Sequence, residues 1–291
     1  MPPRRRAARR TPRKSPTRGS RRGRLARFWP SAPLRRRWWR AFRRSSGLTR
    51  LLVVAVGAAA LFLCVNWIYQ VIRKPTELFF PVSGTLFKTP TQTWRQYAPI
   101  FRKHSTEIIS AELLAALAQV EGSGNPVART YWRWSWKIRP FEIYRPATSA
   151  VGMYQITDGT FAEAKRFCVH HHVVVSDGPW DNWQSCWLNS LYFRVIPSHA
   201  VELTAAYLDV HVRAILERYG MQGTSLARKQ DLAALIHLCG AGAGADYARR
   251  GMRLTEGQRC GDHEARAYVA RVAVMKKEFA GLAAQDDADL Q

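Results

Sequence analysis

SAELLAALAQVEGSGNP, residues 110–126, decides the fold class. Ser110 is a capping residue placed just before an apolar run in which Leu113, Leu114, Leu117 and Glu121 recur on one helical face. Gly122, Ser123, Gly124, Asn125 and Pro126 then end the helix, because no helix continues through that composition. A carboxylate at the last turn is opposed by the core on one side and by the negative end of the helix dipole on the other. Both effects favour the protonated acid, which is the form a general acid needs near neutral pH.

The same period repeats along the chain. Asp158 is expected to cap a helix carrying Phe161, Ala164 and Phe167. A third helix from about Ala200 places Ala205, Leu208, Val212, Ile215 and Tyr219 in register and stops at Gly220. A fourth carries Leu232, Leu235, Ile236 and Cys239, and a fifth Tyr268, Val272, Met275 and Phe279. Val173 to Val175 is the one stretch that reads as strand. The expectation is a mostly α domain with long aromatic-rich connections.

Upstream, Leu51 to Ile72 runs 22 residues without a charge, and 19 of them are apolar or aromatic. As a helix this stretch is ~33 Å long, enough to cross a bilayer core of about 30 Å. The net charge of +24 is concentrated before it: residues 1–50 hold 19 Lys and Arg and no acid, whereas residues 75–291 sum to +3, from 24 bases and 21 acids. Arg35, Arg36, Arg37, Arg40, Arg43, Arg44 and Arg50 precede the span and only Arg73 and Lys74 follow it, so the N-terminus is expected in the cytoplasm. The charged region is too long for a cleavable signal peptide, and the span reads as an uncleaved anchor. The implied order is a disordered basic tail over 1–48, a transmembrane helix over 49–73, a linker over 74–91, the folded domain over 92–282 and an acidic tail over 283–291. The tail suits an anionic inner leaflet, helped by Trp29, Trp38 and Trp39, or serves only to set topology. It carries no nucleic-acid recognition motif, and specific nucleic-acid binding is not expected.

Four cysteines, Cys168, Cys186, Cys239 and Cys260, lie beyond the span. An even number in an oxidising compartment suggests two disulfides. Pairing Cys168 with Cys186 and Cys239 with Cys260 ties a helix end to the connection that follows it. His170, His171 and His172 are adjacent and do not converge on one ion, and no zinc-ligand spacing is present. The Gly240 to Gly244 run lacks the Lys and Ser or Thr of a phosphate-binding loop.

Glu121-Gly-Ser-Gly-Asn-Pro126 resembles the Glu-Ser-x-Phe-Asn-Pro signature of lytic transglycosylases with the soluble-transglycosylase (SLT) domain, which has a lysozyme-like fold. Ser149-Ala-Val-Gly-Met-Tyr-Gln-Ile156 is similar to the family's Gly-Leu-Met-Gln-Ile segment. Leu238-Cys-Gly-Ala-Gly242 falls where the family has Ala-Tyr-Asn-Ala-Gly, and Glu264-Ala-Arg-Ala-Tyr-Val-Ala-Arg-Val272 matches the closing Glu-Thr-x-x-Tyr-Val helix. The resemblance implies a lysozyme-like domain that cleaves the β-1,4 bond between N-acetylmuramic acid and N-acetylglucosamine in peptidoglycan. Glu121 would act first as acid and then as base, closing a 1,6-anhydro ring without metal or cofactor. By the same match Gln155 and the backbone of Gly152, Met153, Tyr154 and Gln155 would line the saccharide groove, and Tyr268 would orient Glu121.

The chain departs from that pattern in three places. Gly122 stands where the family has Ser, which leaves Ser123 as the candidate hydroxyl, and Cys239 and Gly240 replace a Tyr-Asn pair. The stretch between Pro126 and Gly152 is rich in Trp and Arg. Tyr131, Trp132, Trp134 and Trp136, or Trp180, Trp183 and Trp187, offer flat faces for sugar rings or pack under loops. Two alternatives stay open: a lysozyme-type hydrolase needing a second carboxylate, for which Glu142 and Asp158 are the nearest acids, and an inactive wall-binding scaffold serving an envelope machine. The expected setting is the bacterial inner membrane, with the domain in the periplasm.

Overall fold

The computed structural model describes residues 32–135, 142–179, 181–182 and 185–289, and these fall into two compact units divided between Leu63 and Cys64. In the first unit α1 (Ala32–Arg44) turns at Ser45 and Ser46 into α2 (Gly47–Arg73). Ser46 Oγ accepts from the Thr49 backbone N–H at 3.2 Å, satisfying a free donor at the start of α2. Residues 32–44, placed above in a disordered tail, are helical: Leu34, Trp38 and Phe42 recur every fourth residue and, with Trp39, face Val53 and Val54 of α2. Residues 1–31, with Trp29, lie outside the described residues. α2 is long and apolar enough to cross a membrane.

The second unit is mostly helical. A 3-10 turn (Pro75–Phe79) and α3 (Phe80–Ser83) lead to α4 (Pro90–His104), so the stretch read as a linker is largely ordered turn and helix. α4 opens with a full capping box between Thr89 and Gln92, and Pro90 sits where its missing N–H costs nothing. α5 (Ala111–Gly122) begins at Ser110, whose Oγ accepts from the Leu113 N–H. Ala111 and Leu113 to Ala118 are all buried, so this helix is covered on every side and is the central strut of the core. It packs against α4, α7 (Pro197–Arg218) and above all α9 (Ala265–Asp289), while α8 (Leu226–Arg249) fills the space between α7 and α9.

Among the described residues, three two-stranded antiparallel ribbons decorate the helices: β1 (Trp132–Trp134) with β2 (Tyr144–Pro146), β3 (Phe167–His170) with β4 (Val173–Ser176), and β5 (Arg259–Cys260) with β6 (His263–Glu264). β4 covers the expected strand, but five partners escaped the sequence because strands of two to four residues carry no readable alternation. His171 and His172, both at positive φ, form the turn between β3 and β4, so the His triplet splays around a bend. α6 (Asp158–Ala164) is capped by Thr157 rather than Asp158; Thr157 Oγ1 accepts from the Thr160 N–H at 3.4 Å, and Asp158 is the first helical residue. The acidic end is not a solvated tail through residue 289. It continues α9, and Asp286 accepts from Trp94 Nε1 at 2.8 Å and pairs with Arg102 at 3.5 Å.

Both disulfides pair as expected, Cys168 with Cys186 and Cys239 with Cys260. The second positions the site described next. α8 is interrupted at Gly240, which adopts φ 82° and ψ 167°, and Cys239 immediately before this break is tied to Cys260 in β5. The β5–β6 turn is thereby fixed against the middle of α8.

Candidate functional site

The last turn of α5 brings Glu121 to the floor of a cleft of about 840 Å³. Its side chain is 16% exposed, between the core and the opening. Ser123, in the left-handed region at φ 48°, closes the helix by donating its N–H to the Gln119 carbonyl at 3.0 Å, and Gly124 N–H reaches the Ala118 carbonyl at 3.1 Å. The buried Asn125 locks the loop: its Nδ2 donates to the Ser83 carbonyl at 2.5 Å and its Oδ1 accepts from Val127 N–H at 3.0 Å.

Across the cleft, Tyr268 on α9 donates its hydroxyl to Glu121 Oε1 at 2.5 Å. The ring is wholly buried, and burial, reinforced by the nearby Glu121 charge and hydrogen bond, pushes the phenol well above its ordinary range. Tyr268 therefore stays a donor and fixes one carboxyl oxygen in place. The core stripe expected on the last helix exists, and its first member serves the site as well as the core.

His237 was not foreseen. It lies on α8 one residue before the Leu238–Gly242 segment, with Nε2 at 3.8 Å from Glu121 Oε1. Burial pushes its imidazole below the ordinary value, opposed by the Glu121 charge and by a hydrogen bond with the Tyr154 backbone. Burial thus favours the neutral ring. The available signal was a polar residue interrupting the apolar stripe of α8, between Ile236 and Leu238.

Gln155, at φ 47°, lines the cleft and gives its amide to the carbonyls of Gly152 and Ala128, at 2.9 and 3.2 Å, which stitches the 152–155 turn to the loop after α5. Ser123 also lines the cleft. Gly152, Met153 and Tyr154 do not: Met153 and Tyr154 are fully buried, and Gly152 at φ 83° packs against the Arg194 carbonyl. A second cavity of about 230 Å³ shares Gln155, Thr157, His237 and Leu238 with the cleft.

The aromatic candidates separate. Tyr131 lines the cleft and donates its hydroxyl to Asp262 in the β5–β6 turn at 2.8 Å, whereas Trp132 Nε1 donates to the buried Glu77 at 2.9 Å and Trp134 lies 4.7 Å from the Tyr144 ring centre. Trp187 opens the 3-10 turn Trp187–Leu191; Trp136, Trp180 and Trp183 lie outside the described residues. The two acids named for a hydrolase are elsewhere. Glu142 pairs with Arg73 at 3.2 Å and Asp158 with Arg194 at 2.7 Å, and neither lines the cleft. Among the described residues, the carboxylates lining it are Glu121 and Asp262, and Asp262 arrives by the Cys239–Cys260 tether, which sequence spacing does not reveal.

The departure at Gly122 has a steric cause. A Cβ there would sit 2.9 Å from both the Cα and the carbonyl oxygen of Met153, so the loop backbone itself occupies the space. Gly122→Ser is expected to lose about 1–3 kcal/mol of stability in chemical unfolding, since overpacking against backbone outweighs the few tenths gained in helix propensity. A variant as stable as the parent would mean that the 152–155 turn shifts freely.

No protein-family model matches the chain, and no curated protein matches it either.

Proposed function

We propose that this chain is a membrane-anchored peptidoglycan lytic transglycosylase with a lysozyme-like domain, its N-terminus cytoplasmic and its cleft in the periplasm of a bacterial envelope. The observation that carries the reading is Glu121: one carboxyl group at a helix end, on the floor of an open cleft, held through Oε1 by a buried tyrosine hydroxyl. The four matched segments support it by falling on that cleft: Glu121 and Ser123, Gln155, Leu238 and Cys239, and Tyr268 all line it. The apolar α2 and the two disulfides support a membrane-attached protein in an oxidising compartment.

In this mechanism Glu121 gives its proton to the glycosidic oxygen as the bond to the muramoyl anomeric carbon breaks. The resulting carboxylate takes the proton from the muramoyl C6 hydroxyl while that oxygen closes on the anomeric carbon, forming the 1,6-anhydro ring and returning the proton to Glu121. The nucleophile belongs to the substrate, so a single carboxyl group serves both steps, unlike the paired-carboxylate schemes. Tyr268 keeps the carboxyl oriented, and burial disfavours the charged form of the neighbouring His237.

Asp262 supports a second reading as a hydrolase, since it puts another acid in the same cleft. Purified sacculi incubated with the full chain separate the two. Muropeptides one water lighter than hydrolysis products are expected; reducing-end sugars would transfer the assignment to the hydrolase, and no release by folded protein would sink both.

A further inference from the structure

Directly after α2, the chain enters a further depression, of about 390 Å³, which borders the cleft at Ala147 and Thr148 and does not include Glu121. Four cations line it, Arg73, Lys74, Arg145 and Arg194, against two carboxylates, Glu142 and Asp158. Glu142 is bridged by both Arg73 at 3.2 Å and Arg145 at 3.6 Å, and Asp158 is paired with Arg194. Lys74 pairs in turn with Glu77 at 3.3 Å, an acid it shares with Arg129, so each cation has a carboxylate partner while the cluster still holds more cations than acids.

Two of its polar atoms are also stranded. Arg145 Nε and Thr76 Oγ1 are buried and have no hydrogen-bond partner among the described residues. Buried donors of this kind are almost always satisfied, and an unmatched guanidinium N–H beside surplus cations points to a missing acceptor that carries negative charge. Lys74 is consistent with such crowding. Burial above all pushes its ammonium below the ordinary value, and the charges of Arg194 and Arg129 act in the same direction against Glu77.

We propose that this depression is an anion site that takes a phosphoryl group, with Arg73, Arg145 and the Thr76 hydroxyl as its donors. Planar guanidinium forks match phosphate oxygens in geometry as well as charge. If α2 spans the bilayer, as proposed above, its last residues emerge at the level of the lipid phosphates. An anionic lipid headgroup is then the nearest source, and free phosphate is the other. Occupancy would couple the anchor to the 145–149 loop, which continues from β2 into the cleft wall at Ala147 and Thr148.

The test uses the full chain, stripped of lipid in neutral detergent. Native mass spectrometry follows retention of phosphatidylglycerol against phosphatidylcholine, and calorimetry follows inorganic phosphate. Preferential retention of phosphatidylglycerol, reduced about tenfold in Arg145→Gln and further in Arg73→Gln/Arg145→Gln, supports the site and assigns it to the lipid. Phosphate binding in the absence of lipid, lost in the same variants and in Thr76→Val, supports the site with a soluble source. If the parent protein prefers neither probe, or if variants with unchanged near-ultraviolet dichroism bind equally well, the proposal is overturned. None of these readings depends on wall digestion, so they stand apart from the assignment of Glu121.

Discussion

Glu121→Gln is expected to lower the rate of muropeptide release by the full chain by on the order of 10⁴-fold while leaving the fold intact. The amide has the shape of the acid, and Tyr268 still finds an oxygen to donate to, so the buried contact at 2.5 Å has a successor. What the variant lacks is a proton to give and a carboxylate to take one back. General acid–base assistance contributes roughly 10²–10⁴ in rate, and a residue acting in both half-reactions falls at the upper end of that range. His237 offers no substitute. Burial already holds its imidazole below the ordinary value, and removing the Glu121 charge removes the principal influence raising it. Its acid form is thus still scarcer in the variant at neutral pH. Release at one-tenth of the parent rate or faster, from sacculi digested at the same protein concentration, would refute the catalytic assignment.

Glu121 was legible because the evidence for it is local. A capping Ser110, a stripe of leucines and a glycine-rich stop lie within seventeen consecutive residues, and α5 obeys them. Register put Tyr268 only on the core stripe of the last helix; its place beside Glu121 was implied by the resemblance of residues 264–272 alone. His237 and Asp262 were not legible, because each is brought in by a long-range event: His237 by the packing of α8 beside α5 and α9, Asp262 by a disulfide that draws β5 toward the interruption at Gly240. Apart from Val173 to Val175, the ribbons were missed because their strands are too short for a period of two to be visible. Thr157 and Asp158 show the limit of capping rules, since both are good cap residues and only the backbone decides between neighbours. The largest misreading concerns residues 74–91. Three prolines and scattered hydroxyl residues suggested a tether, but Glu77 within it is completely buried, and the partners that explain this, Arg129 and Trp132, are 52 and 55 residues away.

That burial leads to the second large expected effect: Glu77→Ala should cost about 3–5 kcal/mol of stability, the usual consequence of removing one partner from a buried ion pair. Glu77 Oε2 receives both the Arg129 guanidinium and Trp132 Nε1, and its Oε1 lies 3.3 Å from Lys74 Nζ. Without the acid, two cations whose side chains are only 10% and 11% exposed remain in a place that water barely reaches. Lys74 can relieve its share by shedding a proton, toward which burial already pushes it; Arg129 cannot, since a guanidinium does not deprotonate in proteins. Most of the cost therefore falls on Arg129. Denaturant unfolding of the full chain in detergent measures the loss, with Asp246→Ala as the contrasting case: its pair with Arg249 is more than half exposed on both sides, and its removal should cost no more than about 1 kcal/mol. A loss that small at Glu77 would mean that water enters the cluster. If Arg129 carries the penalty, Glu77→Leu/Arg129→Leu should recover a large part of the stability lost by Glu77→Ala, because the double change removes the stranded charge along with its partner. Arg129 also lines the cleft, so the double variant places a leucine in the wall that faces Glu121. Recovered stability with slowed release of muropeptides would then separate what Arg129 does for the fold from what it does for the cleft.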